Sequence, residues 1–468
     1  MEGRQSNTIS VLMLPWLAYG HISPFLELAK ALSKRNFNIY LCSTPVNLSS
    51  IKAKLTQKHS ISIKLVELHL PTLPELPSHY HTTNGLPPHL MPTLKKAFDM
   101  AKPSFSTILK TLNPDLLIYD FLQHWAPEVA LSHNIPATLF LSPSAAAGSF
   151  LLHFFKDPNS EFLYPAMYIR DHERIGMQGM LGASSNGVKD VLRFEECAKL
   201  SSEIILIKSF REIEGKYIDY LSVAYEKKMV PVGLLVQESI VEEEKTEIFE
   251  WLNKKDKGST VFVSFGSEYF LCKEDMEEIA NGLALSDVNF IWVVRFPMDE
   301  KIPVEAALPE GFLERVGERG MVVEGWAPQA RILGHSNIGG FVSHCGWSSV
   351  MEGMKFGVPI IAIPMQLDQP MNARLVEEVG VGMEVKRDES GRLEREEVAR
   401  VIKGVVVERN GEAVRRKAKE LSESIREKGE EEIEGVVEEL VKLCKNKKDE
   451  LVTSNLRSDS TMKRLVWP

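Results

Sequence analysis

The chain has 468 residues, of which 44% are hydrophobic and 25% charged, as is typical of a globular protein with two or three domains. A formal net charge of −9 argues against a nucleic-acid-binding protein. The five cysteines are widely spaced and form no C-x-x-C pair, which argues against a disulfide framework or a zinc site. With no signal-peptide pattern and no apolar run long enough to span a bilayer, we expect a cytoplasmic protein.

The first third of the chain alternates short apolar runs with amphipathic stretches. The apolar runs are predicted to be strands, and the amphipathic stretches at 22–35 and 125–132 are predicted to be helices. Two segments, 71–92 and 157–190, lack periodicity and are predicted to be irregular loops that carry or cover function. The predicted strands are 9–14, 38–42, 61–68, 116–119, 137–141 and 204–207.

After residue 236 an acidic stretch, predicted to be a linker over 237–246, separates this region from a second one of the same kind. The second region has a predicted helix at 274–285. Two Rossmann-like, doubly wound parallel sheets are therefore predicted, in domains at 1–236 and 247–445, with the ligand in the cleft between them. The charged run from Glu412 is interpreted as a solvated helix face, and 446–468 as disordered. The second set of strands is 260–265, 290–294, 321–323, 338–342 and 358–363.

The segment from Trp326 to Gln369, WAPQARILGHSNIGGFVSHCGWSSVMEGMKFGVPIIAIPMQLDQ, is the most informative part of the chain. It resembles the signature box of plant family-1 UDP-dependent glycosyltransferases at nearly every motif position. The resemblance extends from the GHISPF segment to the charged C-terminal helix. It implies the GT-B fold, with the acceptor bound by the first domain and the UDP-sugar held mainly by the second.

The residues of this box suit a nucleotide sugar on chemical grounds. The indole of Trp326 can stack on uracil, which typically contributes about 1–3 kcal/mol per base. The HCGWSS run passes from a strand into a helix, whose N-terminal N–H groups favour a diphosphate. By resemblance, Asp368 and Gln369 hold the hydroxyls of the sugar. The residues expected at the UDP-sugar are Ser267, Trp326, Ala327, Gln329, His344, Trp347, Ser348, Ser349, Glu352, Asp368, Gln369 and, matched more loosely, Ser142.

Two readings of single positions need weighing. A Cys/His nucleophile at His344 and Cys345 is disfavoured, because adjacent strand residues point to opposite faces. Most members of the family carry Asn where this chain has Ser348, and the serine resembles the branch of the family that extends sugar chains.

Transfer of a sugar to an alcohol needs a base for the hydroxyl proton. His21, expected in the loop between the first strand and the first helix, is the general base by resemblance, and Asp120 is the carboxylate that orients it. A helix-capping His and a turn-forming Asp are the structural alternatives. No D-x-D motif occurs, so we predict an inverting, metal-independent reaction with no cofactor beyond the co-substrate UDP-glucose. The sugar assignment depends on Gln369, which resembles the form associated with glucose. A monomer is the family default.

Three features resemble the glycoside-extending branch: Ser348, the FGSEYF segment at 265–270 and the HTTNGLP segment at 81–87. The acceptor is therefore expected to be a glycoside, with triterpenoid glycosides favoured over flavonoid or lignan glycosides. A free aglycone as acceptor and a non-catalytic UDP-sugar-binding protein remain alternatives. A hydrolase is disfavoured because no G-x-S-x-G elbow occurs. The candidate acceptor-binding residues, which flank the catalytic pair in sequence, are Trp16, Tyr19, Gln123 and Trp125.

Overall fold

Two parallel β-sheets organise the chain, one in each half, in a computed structural model that describes residues 8–237, 246–267, 269–296 and 303–462. The first sheet has seven strands in the order β3-β2-β1-β4-β5-β8-β9, all parallel. Its central strands are buried along their whole length, which explains their continuous apolar sequences. The strands are β1 (Ile9–Leu14), β2 (Phe37–Ser43), β3 (Ile63–Glu67), β4 (Leu116–Tyr119), β5 (Ala137–Leu141), β8 (Ile204–Ile207) and β9 (Lys228–Pro231), and a separate antiparallel hairpin joins β6 (Ser184–Ser185) to β7 (Val188–Lys189).

Helices cover both faces of this sheet. These helices are α1 (Tyr19–Ser33), α2 (Pro45–Lys52), α3 (Gln57–Ser60), α4 (Met91–Met100), α5 (Lys102–Leu112), α6 (Trp125–Ser132), α7 (Ala145–Lys156), α8 (Asp171–Gly182), α9 (Asp190–Leu200) and α10 (Arg211–Tyr225). The longer ones, such as α1 and α7, bury an apolar stripe, as the amphipathic stretches of the sequence predict.

The second sheet has six parallel strands in the order β12-β11-β10-β13-β14-β15. Its strands are β10 (Thr260–Ser264), β11 (Asn289–Val294), β12 (Gly320–Glu324), β13 (Ile338–Ser343), β14 (Ile360–Ala362) and β15 (Gly382–Glu384). Its helices are α11 (Thr246–Leu252), α12 (Lys273–Ser286), α13 (Val304–Ala307), α14 (Phe312–Val316), α15 (Gln329–Leu333), α16 (Trp347–Phe356), α17 (Gln369–Val379), α18 (Arg395–Val406) and α19 (Glu412–Met462).

Both sheets reverse their strand order at one point, between β1 and β4 in the first and between β10 and β13 in the second. Loops leave in opposite directions at such a point and open a crevice at the carboxyl ends of the strands. The fold confirms the prediction of two Rossmann-like domains in a GT-B arrangement. Within the described ranges, no helix combines the length and apolarity that a bilayer crossing requires.

Several boundaries differ from the sequence-based predictions. Helix α1 begins at Tyr19, so His21 lies in its first turn rather than in the loop before it. The segment 157–190, predicted to be irregular, contains α8 and the small hairpin. Edge strands β9 and β15 were not predicted, because runs of three or four residues carry too little periodicity.

The C-terminal helix α19 (Glu412–Met462) contacts both domains and runs past residue 445, the predicted end of the second one. Its first part packs on the second domain through Ala418 and Leu421, whereas Ile433 and Leu440 belong to the core of the first domain. A charged sequence that was interpreted as a solvated face therefore buries one apolar stripe against both domains. The helix continues to Met462, where disorder was predicted from residue 446. Residues 463–468, and 238–245 of the predicted linker, lie outside the described residues.

Candidate active site

His21 and Asp120 meet at the switch point of the first sheet. Nδ1 of His21 lies 2.8 Å from Oδ2 of Asp120, which follows β4, and the His21 side chain keeps 19% of its surface exposed. A carboxylate only accepts, so Nδ1 carries the proton and the lone pair of the ring is on Nε2. A histidine oriented in this way is suited to take a proton from a substrate hydroxyl.

The Asp120 carboxylate is fully buried and held by the backbone on both sides. Its Oδ2 also accepts from the backbone N–H of Trp16 at 3.0 Å, and its Oδ1 from that of Phe121 at 2.8 Å. These bonds hold the carboxylate in place independently of His21. Ser142, which follows β5, lies 3.2 Å from Nδ1 of the same histidine through its Oγ. The structure thus places Ser142 beside His21.

A second constellation lies at the switch point of the second sheet. His344 follows β13, and its ring fits between two glycines: a Cβ on Gly266 would lie 2.7 Å from Nε2, and a Cβ on Gly346 would lie 2.5 Å from it. Gly266 also has a positive φ of 80°, which only glycine adopts readily. Ser267 follows it at the carboxyl end of β10. Any side chain at either glycine would displace the histidine.

Burial shifts the pKa values of His344 and Cys345 in opposite directions. Burial lowers the pKa of His344 to about 4, against the opposing effect of a hydrogen bond with the backbone of Ser264, so the ring is neutral at cellular pH. Its Nδ1 is buried with no hydrogen-bond partner among the described residues, as expected of an atom that meets a ligand. Burial raises the pKa of the Cys345 thiol, which points back to the Ser343 carbonyl at 3.6 Å. The structure therefore also disfavours a Cys/His nucleophile.

The first turn of α16 connects the His344 ring, which lies between Gly266 and Gly346, to a polar cluster. Nε2 of Gln329 donates to Oγ of Ser349 at 3.2 Å and to Oε2 of Glu352 at 2.8 Å. Burial raises the pKa of Glu352, while Gln329 and the Lys208 ammonium oppose the shift. The three predicted ribose and phosphate ligands therefore form one connected group at the N-terminus of a ten-residue helix, where anions are favoured.

Trp326 stands at the mouth of the cleft. It follows β12 and Gly325, whose φ is 81°, and 48% of its surface is exposed. An exposed indole next to the buried Ala327 offers a flat apolar face to a ligand. The adjacent Ala327 is buried, and its carbonyl accepts from the backbone N–H of Gln329 at 2.8 Å. The arrangement fits a flat base stacked on the indole.

Asp368 and Gln369 are fixed at the start of α17. Oε1 of Gln369 accepts from the backbone N–H groups of Met365 and Gln366, each at 3.0 Å, which leaves its amide N–H group to face other partners. Oδ2 of Asp368 accepts from Asn372 at 3.0 Å. Burial raises the pKa of Asp368, and the charge of His21 acts in the opposite direction, so the two residues are within electrostatic range across the cleft.

The two domains are joined directly at this site. Nε1 of Trp347 donates to the Lys208 carbonyl at 2.7 Å, so its side chain contacts the first domain and only its backbone N–H is left for a donor phosphate. Nζ of Lys208 donates to Oγ of Ser348 at 2.8 Å. Sequence reasoning missed Lys208, which follows β8, because no local pattern marks a contact between residues 140 positions apart.

The four candidate acceptor residues occupy different environments. Trp16 and Trp125 are core side chains that pack edge-on against Phe98, although Nε1 of Trp125 lacks a partner among the described residues. Gln123 is fully buried, and both polar atoms of its amide are likewise without a partner there. Tyr19 is 41% exposed at the cleft side of α1, and its hydroxyl accepts from Lys54 at 2.7 Å. Gln123 and Tyr19 lie within three residues of Asp120 and His21, respectively, in the sequence.

In the part of the chain that the structure describes, no group of three or more His, Cys, Asp or Glu is placed to hold a metal ion.

Comparison with known proteins agrees with this geometry. The family model described as "UDP-glucoronosyl and UDP-glucosyl transferase" matches residues 229–427, and the model "Glycosyltransferase, N-terminal domain" matches residues 7–236. The solved structure of UGT73P12 from Glycyrrhiza uralensis, complexed with glycyrrhetinic acid 3-O-monoglucuronide, superposes with a TM-score of 0.85 at 23% identity. That match covers 98% of this chain and 100% of the other, and it shows the shared fold.

Two relatives extend the match over nearly the full length at much higher identity. A mogroside IIIx synthase of Siraitia grosvenorii is 57% identical over 447 residues, which are 94% of this chain and 94% of the relative. A β-D-glucosyl crocetin β-1,6-glucosyltransferase of Gardenia jasminoides is 54% identical over 435 residues, which are 92% of this chain and 98% of the relative. With the family models, these matches show that the chain belongs to the plant family-1 UDP-glycosyltransferases, enzymes that transfer a sugar from a UDP-sugar to small plant metabolites.

Proposed function

We propose that this enzyme transfers glucose from UDP-glucose to a sugar hydroxyl of an existing glycoside. The observation that carries the catalytic part is the His21–Asp120 contact of 2.8 Å at the cleft, opposite the predicted sugar ligands Asp368 and Gln369. It supports a base placed beside the sugar end of the donor.

The reaction needs one displacement. Nε2 of His21 takes the proton of the acceptor hydroxyl while that oxygen forms a bond to the anomeric carbon of glucose. The bond from that carbon to the UDP oxygen breaks, and UDP leaves with the electron pair. The buried Asp120 carboxylate stabilises the imidazolium that forms. Attack opposite the leaving group converts an α-linked donor into a β-linked product.

Metal independence remains part of the proposal. The N–H groups at the start of α16 and the polar groups around His344 supply the charge stabilisation that UDP needs. An assay in the presence of a chelator tests metal independence, and we expect undiminished turnover. A loss of turnover that a divalent cation restores would contradict it.

Glucose is the proposed donor sugar. The Gln369 amide, fixed through its oxygen by two backbone N–H groups, directs its own N–H group outward as a donor for a sugar hydroxyl. One or two such bonds distinguish epimers incompletely, so a clear preference with some activity toward UDP-galactose is expected. Competition between the two donors tests this preference.

A glycoside is the proposed acceptor. The Gardenia relative is named for transfer to a glucosylated crocetin, and the Siraitia relative for synthesis of a mogroside. The two polar atoms of the buried Gln123 amide, near Asp120 in sequence, have no partner among the described residues and suit the hydroxyls of an acceptor sugar. Triterpenoid glycosides are the favoured class.

The test is a matched pair of acceptors, a triterpenoid aglycone and its monoglucoside, each offered with UDP-glucose. Formation of a disaccharide on the monoglucoside at the higher kcat/KM is expected. Faster transfer to the aglycone would instead assign the enzyme to free aglycones. UDP release in the presence of acceptor distinguishes either result from a non-catalytic UDP-sugar-binding protein.

A further inference from the structure

Lys208 is a buried cation at the interface between the two domains. It follows β8, only 1% of its surface is exposed, and its backbone N–H donates to the Leu141 carbonyl at 2.8 Å. The side chain crosses to the second domain, where Nζ donates to Oγ of Ser348 in the first turn of α16. Its own carbonyl accepts from Trp347, so one residue of the first domain contacts two consecutive residues of this helix.

The charge of this ammonium group is not neutralised by a direct partner. An ammonium group has three N–H donors, and a single hydrogen bond, to Ser348, is present among the described residues, with no ion pair. Glu352 of α16 and Glu27 of α1 act on it only through longer-range attraction. A buried charge without a paired anion is costly, so its retention needs a compensating partner.

The surroundings indicate what that partner is. The adjacent first turn of α16 presents backbone N–H groups, and the nearby Nδ1 of His344 is a second buried polar atom without a partner in the described residues. Ser348 is only partly buried. Because its Oγ accepts from Lys208, its own O–H group is free to turn to another acceptor. The Lys208 ammonium, the Ser348 hydroxyl and the backbone N–H groups of α16 thus bring donors from two domains to one helix N-terminus, as an anion requires.

We propose that Lys208 is a further donor-binding residue, which reaches from the first domain to the diphosphate of the UDP-sugar beside Ser348 and stabilises the charge that develops on UDP as the bond to the sugar breaks. The inference rests on the UDP-sugar activity and is independent of the acceptor. It also gives a physical reason for a serine in place of the usual asparagine, since the short side chain leaves room for the lysine.

Calorimetric titration of UDP and of uridine, without acceptor, tests this role. Lys208→Met removes the charge and keeps the apolar volume, which a buried site tolerates. The dissociation constant for UDP is expected to rise about 10- to 100-fold, the range for loss of one charge-assisted hydrogen bond. Uridine has no phosphate, so its affinity should change by no more than about twofold. Lys208→Arg, which keeps the charge, should recover part of the UDP affinity.

Lys227→Met is the matched control, because Lys227 is a partly buried lysine that donates to the Ser201 and Ser202 carbonyls at the amino ends of β8 and β9, whereas Lys208 lies at the carboxyl end of β8. It should leave both affinities unchanged. Burial lowers the pKa of Lys208 to about 8, so UDP affinity of the unaltered protein should weaken above that pH as the ammonium loses its proton. This pH dependence should be absent in Lys208→Met, whereas Glu352 and Glu27 are retained in both proteins.

Two results would overturn the inference: unchanged UDP affinity in Lys208→Met, or an equal loss for UDP and uridine, which would indicate a structural role. Failure of the enzyme to glucosylate any glycoside would refute the proposed acceptor and leave these binding measurements unaffected.

Discussion

Arg374 of α17 and Glu173 of α8 form an ion pair across the two domains, with Nη2 of the arginine 2.7 Å and 2.8 Å from the two carboxylate oxygens. Both side chains are at least 90% buried. A neighbouring pair crosses in the opposite sense, from Arg170 of the first domain to Glu384 of the second, with Nη2 and Oε2 at 2.8 Å. Together the two pairs fix part of the segment 157–190, which was predicted to be irregular, onto the second domain.

Loss of one partner of the buried pair is expected to destabilise the protein strongly. Arg374→Met removes from the buried Glu173 carboxylate the Nη2 group that bonds both of its oxygens and leaves it the more distant Arg170 guanidinium at 3.5 Å, at a cost of up to about 3–5 kcal/mol. Urea unfolding measures the change. Arg211→Met is the control, because the Arg211–Asp219 pair is more than half exposed and such pairs contribute less than about 1 kcal/mol. Equal shifts in the two variants would contradict an energetic role for the crossing pair.

Replacement of His21 should separate catalysis from donor binding. His21→Ala is expected to lower kcat by about 10²–10⁴-fold, the usual effect of losing a general base. The dissociation constant for UDP should stay within about twofold of that of the unaltered protein, because His344 and α16 belong to the other domain. Single-turnover assays and UDP titration measure the two quantities.

Asp120→Asn is the comparison variant for this prediction. The amide keeps the shape and loses the charge that stabilises the imidazolium, so a smaller loss of rate is expected. Near-normal turnover of His21→Ala at saturating acceptor would refute its assignment as the base.

Replacement of Gln369 should alter the choice of donor sugar. In Gln369→His the fixed amide N–H group is replaced by an imidazole, and the two backbone N–H groups at Met365 and Gln366 lose their acceptor. The ratio of kcat/KM for UDP-glucose to that for UDP-galactose is expected to fall about tenfold, the effect of one hydrogen bond. Thermal shift with UDP alone serves as the control, since the nucleotide contacts are unaltered. An unchanged ratio would remove Gln369 from donor selection.

Neutral His344 should make stability sensitive to acid. Burial lowers its pKa from 6.5 to about 4 in the folded protein, so the unfolded chain takes up the proton first. The contribution of neutral His344 to the free energy of unfolding is complete above pH 6.5 and is lost as the pH falls from there toward 4. In His344→Gln the decline over this window should be smaller, as measured by urea midpoints at pH 7 and pH 5. Parallel declines in both proteins would contradict the assignment.

Glu214 makes an opposing contribution to the pH dependence of the free energy of unfolding. For this reason the unaltered protein is compared with His344→Gln. Burial raises the pKa of Glu214 to about 7, so its protonated form favours the folded state as the pH falls from 7 toward 4.5. Glu214 is present in both proteins, and its contribution cancels in the difference.

Local pattern in the sequence was enough to determine much of this enzyme. The repeat of apolar runs and amphipathic stretches predicted the two parallel sheets, because buried parallel strands require continuous apolar sequence. His21, Asp120 and the box from Trp326 to Gln369 were identified by their resemblance to the motifs of the family. In the structure the candidate site residues among them follow the carboxyl ends of β1, β4, β12, β13 and β14.

Other features depended on how distant segments pack. The contact of Lys208 with Ser348, the Arg374–Glu173 pair and the docking of α19 on the first domain join residues 140 or more positions apart in the chain. No periodicity records such contacts. A lysine after a strand and a charged helix are ordinary surface sequences until the domains come together, exclude water and make each buried charge depend on its neighbours. Only the tertiary structure decides which charges those are.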